Sequence, residues 1–189
     1  MTTKQAEDIL LAAYKAEVEY RCRKFIADDR TLANCKKLAE CLTKENPKFG
    51  IMLCGICGNG KTTMLYAFRS VVNWLNDCNV FEERQGIRVL DAKDLTHIAK
   101  DWDTFRNVRN EKMIGIEDMG REATEILDYG NILNPIVDLL EYRYDNQLFT
   151  FITTNLKADE IRKKYGDRIA DRFNEMLEVI IFGDTTYRK

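Results

Sequence analysis

The 189-residue chain is somewhat longer than a typical domain of roughly 150 residues, and its 45% hydrophobic and 32% charged residues, with 2 Pro and 10 Gly, exclude disorder, collagen-like repeats and long flexible linkers. Lys plus Arg at 29 against Asp plus Glu at 31 leaves a net charge of -2, which excludes a whole-protein field drawing the chain onto nucleic acid or an anionic membrane; any DNA contact must be a local patch. No apolar stretch approaches the roughly 18 residues of a membrane span, and Met1 to Asp8 carries no secretory pattern, so the expectation is a cytoplasmic protein with no membrane association.

Residues 5 to 44 read as helices, because Ile9, Leu10, Ala13, Ala16, Val18 and Tyr20, then Leu32, Cys35, Leu38, Ala39 and Leu42, recur at roughly helical spacing. Residues 15 to 44 carry eight basic and five acidic side chains, with Arg21, Arg23, Lys24, Arg30, Lys36 and Lys37 among them. A solvated helix surface is the first reading of that pattern, and a DNA or partner surface the second. After Asn46-Pro47, short apolar runs alternate with helical segments, as in a βαβ parallel-sheet protein. Five strands are expected: Phe49 to Cys54, Ile87 to Asp91, Met113 to Ile116, Leu148 to Thr153 and Glu178 to Phe182. Helices are expected from Lys61 to about Asn76, near Lys93 to Lys100, from an Asn134 cap and Pro135 to about Gln147, and from Asp167 to Met176. In the third of these Ile136, Leu140 and Tyr144, with Val137, form the stripe that faces the sheet. The chain thus divides into an N-terminal helical extension over 1-46 and a core over 47-189.

Six Cys are far below the roughly 8 to 10% of a disulfide scaffold, so they are expected as reduced, small apolar fillers. The single Ser, Ser70, lies in an apolar helical run, and His97 is the single His, which excludes serine hydrolases.

Gly55-Ile56-Cys57-Gly58-Asn59-Gly60-Lys61-Thr62-Thr63 fits G-x-x-x-x-G-K-[ST] and sits after an apolar strand and at the start of a helix, where the mechanism of a phosphate loop requires it. Glycines at 55, 58 and 60 let successive N–H groups turn inward onto phosphate oxygens, and the helix N-terminus adds partial positive charge. Lys61 is expected on the β- and γ-phosphates of ATP and the Thr62 hydroxyl on Mg2+. Cys54 and Cys57 make a C-x-x-C, but it overlaps the loop and no second C-x-x-C completes a zinc site.

Met113-Ile-Gly-Ile116-Glu117-Asp118 is an apolar strand ending in two carboxylates, as in ATPases where the first holds the Mg2+ shell and the second orients the attacking water. Asp118 is one methylene shorter than Glu, so slow hydrolysis is expected. The strand ending Thr153-Thr154-Asn155 brings Asn155 to the γ-phosphate if it lies between the other two strands; the alternative is Asn155 as N-cap of a helix beginning near Ala158. In Asp167 to Met176, Ile169, Phe173 and Met176 form the buried stripe, leaving Arg168 and Arg172 together on another face, either offered to a neighbouring subunit's nucleotide or paired with Asp171 or Glu175. Arg188, after Thr186-Tyr187, is a further candidate for the phosphates.

Taken together these motifs resemble the DnaC/IstB-type AAA+ ATPases, helicase loaders and helper ATPases of transposable elements. The resemblance covers about residues 47 to 189 and rests on Gly55 to Thr63, Glu117-Asp118-Met119-Gly120, Thr153-Thr154-Asn155-Leu156, Tyr165-Gly166-Asp167-Arg168-Ile169-Ala170-Asp171-Arg172-Phe173 and Tyr187-Arg188. It implies a P-loop NTPase core of five parallel strands in the order 5-1-4-3-2, flanked by helices, with ATP and Mg2+ bound and nucleotide-dependent homo-oligomerisation. By position it implies Lys61 and Thr62 on phosphate and Mg2+, Glu117 at the Mg2+ acid, Asp118 at the catalytic acid, Asn155 as first sensor, Arg168 as arginine finger and Arg188 as second-sensor arginine. The chain departs from the family in its acidic order, Glu then Asp where the family has Asp then Glu, and in an N-terminal segment short for a helicase-binding domain; the resemblance to this branch also implies no helical lid after the core.

Three functions compete at this point. The first is an oligomerising ATPase on single-stranded DNA or a DNA-bound partner such as a helicase or transposase. The second is a small-molecule or nucleotide kinase, which a chain of this length with this loop suits, although Glu117, Asp118 and Asn155 fit water activation better. The third is a nucleotide-gated interaction protein with little turnover, in which Met119 to Leu133 is a moving contact loop.

Overall fold

Short buried strands with apolar side chains on both faces need helices on both sides, and the chain supplies them. The structure is a computed structural model that describes residues 1–128, 131–183 and 186–187. Helices α1 (Thr3–Tyr20) and α2 (Asp29–Leu42) precede β1 (Gly50–Cys54), α3 (Lys61–Asp77), β2 (Ile87–Asp91), α4 (Ala92–Ile98), α5 (Trp102–Asn110) and β3 (Met113–Met119). A hairpin of β4 (Ile126–Asp128) and β5 (Asn131–Leu133) leads to α6 (Pro135–Asp145), β6 (Phe149–Thr154), α7 (Ala158–Tyr165), α8 (Asp167–Met176) and β7 (Glu178–Ile181).

The sheet runs β2-β3-β6-β1-β7 with every neighbouring pair parallel. Counted over its own five strands and read from the β7 edge, this is the expected order 5-1-4-3-2; the labels differ because the β4-β5 hairpin, absent from the sequence reading, intervenes in the chain. Period-2 alternation divides the core into two layers. Ile51, Leu53 and Phe151 face α1, α2 and α3, whereas Met52, Ile114, Ile116 and Ile152 face the layer of α4 to α8. Leu10, Leu38 and Met64 are at most 1% exposed, and each such burial contributes roughly 2 kcal/mol. The two N-terminal helices share this cluster with the sheet.

Other departures from the sequence reading have local causes. Residues 5 to 44 form two helices, α1 stopping at Arg21, beyond which Cys22 takes a left-handed φ of 55°. Helix α5 was not expected: of its nine residues only Phe105 and Val108 are buried, too few for a readable stripe. β3 runs past Ile116 through both carboxylates to Met119, with a register shift against β6 between Ile116 and Met119. Asn134 stands at the N-cap of α6 but its side chain makes no capping bond there. Of the cysteines, Cys35 is buried and Cys41 and Cys54 half-buried, but Cys22, Cys57 and Cys78 are exposed, so filling accounts for three. No helix among the described residues is long and apolar enough to cross a membrane.

Candidate nucleotide site

β1 ends at Cys54 and the chain curls back before α3 begins at Lys61. The curl depends on left-handed backbone at Gly58 (φ 83°) and Gly60 (φ 96°). A Cβ at Gly60 would also meet the Tyr14 hydroxyl, which α1 lays against the loop, and would have to displace it. Asn59, 4% exposed, ties the loop to the end of the sheet by donating to the Gly183 carbonyl at 3.3 Å.

Lys61 is 4% exposed, a buried ammonium held by oxygens: Gly55 O at 2.7 Å, Ile56 O at 2.8 Å, Asn59 Oδ1 at 3.1 Å and Asn155 Oδ1 at 2.9 Å. Asn155 follows β6, and β6 lies between β1 and β3, the condition set for its reaching the phosphate loop. Its reading as a helix N-cap is overturned, since Lys157 occupies the N-cap of α7 and the Asn155 side chain accepts from Lys61.

Lys61, Thr62, Thr63, Glu117, Asp118 and Asn155 line one cleft of about 1170 Å³ at the C-terminal edge of the sheet, where open α/β sheets bind ligands. Cys57, Gly58, Asn59 and Gly60 line it too, while Gly55 and Ile56 present their carbonyls to Lys61. Tyr66 Oη donates to Glu117 Oε2 at 3.3 Å, and the Tyr66 ring lies under Arg69 at 4.6 Å and Arg21 at 5.2 Å. Asp118 takes a left-handed φ of 54°; its N–H donates to Thr153 Oγ1 at 2.9 Å and its carboxylate holds Arg121 Nη1 at 2.6 Å. No group of three or more His, Cys, Asp or Glu that could hold a metal occurs among the described residues. One hydroxyl and one carboxylate in a cleft of this size fit Mg2+, which takes few protein ligands and fills its shell with phosphate and water.

The opposite wall was not foreseen as part of the site. Tyr14, Val18, Phe25 and Ile26 give it an apolar stretch, and Arg21, Arg23, Lys24 and Arg30 give it charge. Tyr187 closes this end: its N–H donates to Gly58 O at 2.8 Å and its hydroxyl to Asp28 Oδ1 at 3.0 Å, with Thr31 Oγ1 at 3.1 Å. Asp28 also caps α2, accepting from Thr31 N at 2.8 Å. Asp-x-x-Thr before an apolar run was the available signal for the helix start, but nothing local announces a contact 159 residues away.

Arg168 is outside the cleft. Its side chain is 70% exposed on α8, its Nε 3.1 Å from Glu141 Oε1 of α6. Arg172, 14% exposed, pairs with the same oxygen at 3.3 Å and with Asp145 at 3.2 Å, and stacks on Tyr144. The two arginines do lie together, but their partners are on α6 rather than Asp171 or Glu175, because α8 packs against α6. Arg188 lies outside the described residues.

Sheet order and phosphate loop together make a P-loop fold of five parallel strands. Among solved structures, DnaI is similar over 96% of this chain and 93% of its own (TM-score 0.64, 19% identity), and the DnaC helicase loader over 85% and 92% (TM-score 0.60, 21% identity). The replication initiator DnaA bound to AMPPCP and single-stranded DNA matches over 85% of this chain (TM-score 0.59, 17% identity), which spans 49% of that structure. No protein-family model and no curated protein matches the sequence. The chain has a DnaC/IstB-type AAA+ fold.

Proposed function

We propose that the protein is an ATPase that binds Mg-ATP in the loop cleft, hydrolyses it slowly, and assembles with further copies on single-stranded DNA or on a DNA-bound protein such as a helicase or transposase. The observation that carries this is the convergence of Lys61, Asn155, Glu117 and Asp118 on one cleft, with the Lys61 ammonium already ringed by oxygens. A replication context is supported by likeness to a helicase loader and to a DnaA bound to an ATP analogue and single-stranded DNA.

In this reading the loop amides and the N-terminus of α3 cradle the phosphates, and Lys61 exchanges its carbonyl partners for β- and γ-phosphate oxygens. The apolar stretch of Val18, Phe25 and Ile26 faces the base. Thr62 and Glu117 hold Mg2+, which when bound neutralises charge on the phosphates. Asp118 orients the attacking water and accepts its proton, and Asn155 fixes the γ-phosphate against Lys61. Arg168, exposed and outside its own cleft, is assigned to a neighbour's, where a planar guanidinium stabilises the transition state; its exposure supports this role. Arg188 is assigned to the phosphates by its place in the sequence alone.

The gated, low-turnover alternative is favoured by one observation: the Asp118 carboxylate is engaged by Arg121. Phosphate release from Mg-ATP, measured with and without single-stranded DNA over a range of protein concentrations, separates the two. Turnover rising with DNA, and more than linearly with protein, is expected; tight ATP binding without turnover supports the gated protein, and phosphate transfer to a nucleoside or nucleotide the kinase.

A further inference from the structure

The cleft accounts for β3 up to Asp118 but not for the residues after it. Glu122 is a buried carboxylate, its side chain 1% exposed. It accepts from the Gly120 N–H at 2.8 Å and from the Tyr165 hydroxyl, and Lys164 Nζ stands 3.3 Å away. Lys164 in turn donates to the carbonyls of Gly120 at 2.6 Å and Glu122 at 2.7 Å. A carboxylate is tolerated in such a place only when its oxygens are fully partnered. Burial first, and the adjacent Glu122 second, push the Tyr165 hydroxyl far above the ordinary tyrosine range, so it remains the donor.

Two neighbouring residues of α7 thus take up the polar atoms of the loop directly behind Asp118. Gly120, at φ 112°, lets the loop pass flush beneath Leu156, where a Cβ would stand 2.7 Å from Leu156 Cγ. The opposite side of Asp118 is tied to β6: its N–H donates to Thr153 Oγ1 at 2.9 Å, and Thr154 Oγ1 donates to Met119 O at 2.6 Å. Asp118, left-handed itself, hangs between an anchor on the sheet and an anchor on α7. α7 turns at Gly166 directly into α8, which carries Arg168.

We propose that Glu122, Lys164 and Tyr165 form a positioning joint that sets the Asp118 carboxylate and transmits to it the engagement of Arg168 by a neighbouring copy. The proposal rests on the ATPase reading above. Arg121, between Asp118 and Glu122, is the moving part: displacement of α7 shifts the loop and with it the guanidinium 2.6 Å from Asp118. Engagement of Arg168 draws it away from Glu141 on α6, and the α7-α8 turn carries that displacement to Lys164 and Tyr165. A joint that only stabilised the fold would affect nucleotide binding, turnover and melting together. A positioning joint lowers turnover while ATP affinity holds.

The test uses Tyr165→Phe, which removes one hydroxyl and keeps the ring packing, and Glu122→Gln, which keeps the size. Phosphate release, Mg-ATP affinity and melting temperature are measured on each over a range of protein concentrations. The expected result is a kcat about tenfold lower, ATP affinity within about twofold of wild type, and loss of the more-than-linear rise with protein. Wild-type kcat and concentration dependence, or an affinity that falls in step with kcat, overturns the proposal. Amide exchange over residues 117–123 of the nucleotide-free protein decides the joint separately. Faster exchange at Asp118, Gly120 and Arg121 in Tyr165→Phe is expected, and unchanged exchange overturns the joint. Absence of phosphate release by the wild type counts against the ATPase reading and the transmission to Asp118, and the exchange data still decide whether the joint orders the loop.

Discussion

Lys61 and Asn155 are joined across the top of the sheet, the Lys61 ammonium donating to Asn155 Oδ1 at 2.9 Å. The bond links the first residue of α3 to the end of the central strand, so in the proposed reading a γ-phosphate bound to Lys61 meets Asn155 as well. Asn155→Ala is expected to lower kcat by at least about tenfold, with ATP affinity nearly unchanged because Lys61 and the loop amides, not Asn155, carry ground-state binding in this account. Parallel measurement of turnover and equilibrium ATP binding checks this split.

Arg168 and Arg172 share Glu141 but differ in exposure, 70% against 14%. Arg168→Ala should leave the melting temperature within about 1 °C, since an exposed pair contributes little, yet abolish the dependence of turnover on protein concentration. Arg172→Ala removes packing on Tyr144 as well as two ion pairs, and should lower the melting temperature measurably. The reverse pattern would move the subunit-facing role to Arg172.

Arg143 is completely buried and, among the described residues, is held by hydrogen bonds to neutral groups, with the Glu111 carboxylate only nearby. Its guanidinium donates to Thr150 Oγ1 at 2.8 Å and to the carbonyls of Glu111 at 2.8 Å and Phe149 at 2.6 Å, stitching the start of β3 to the start of β6. Burial pulls its pKa down to about 10, so it remains charged at neutral pH. Arg143→Met strands several buried acceptors and should cost about 3 kcal/mol or more in urea denaturation, with ATP binding retained by whatever fraction is folded.

Asp28 is partly buried, which opposes its ionisation, but bonds from Thr31 and Tyr187 and the nearby Arg30 prevail and hold its carboxyl below the ordinary 3.8. A carboxyl lowered in the folded state stabilises the protein above the unfolded value, and the contribution is lost as pH falls through the folded value. Stability of the wild type should therefore drop as pH falls below about 4, and Asp28→Asn, which still caps α2, should flatten that part of the curve. Thermal melts of both proteins between about pH 5 and 2 provide the comparison.

The central strands β1, β3 and β6 were legible because buried parallel strands are apolar runs, and the loop because its glycine spacing encodes the backbone curl ahead of Lys61. Leu127 and Ile132, paired across the β4-β5 hairpin, are 76% and 62% exposed, so no alternation marks those strands. The sequence offers a solvated helix surface or a DNA or partner surface over residues 15 to 44, and not a wall of Val18, Phe25, Arg23 and Asp28 over the loop, because that placement follows from packing of α1 on α3 and from the distant Tyr187. The Arg168 partner on α6 was missed for the same reason: ion pairs between helices leave no periodic trace in either sequence.

The most direct test of the account is single-turnover conversion of Mg-ATP by excess wild-type protein, Lys61→Ala and Asp118→Asn side by side, with nucleotide binding measured on each. The account predicts that wild type converts ATP to ADP, that Lys61→Ala fails to bind it, and that Asp118→Asn binds with near-normal affinity but does not convert it. Undiminished binding by Lys61→Ala, or conversion by Asp118→Asn at the wild-type rate, would contradict the assignment of this cleft.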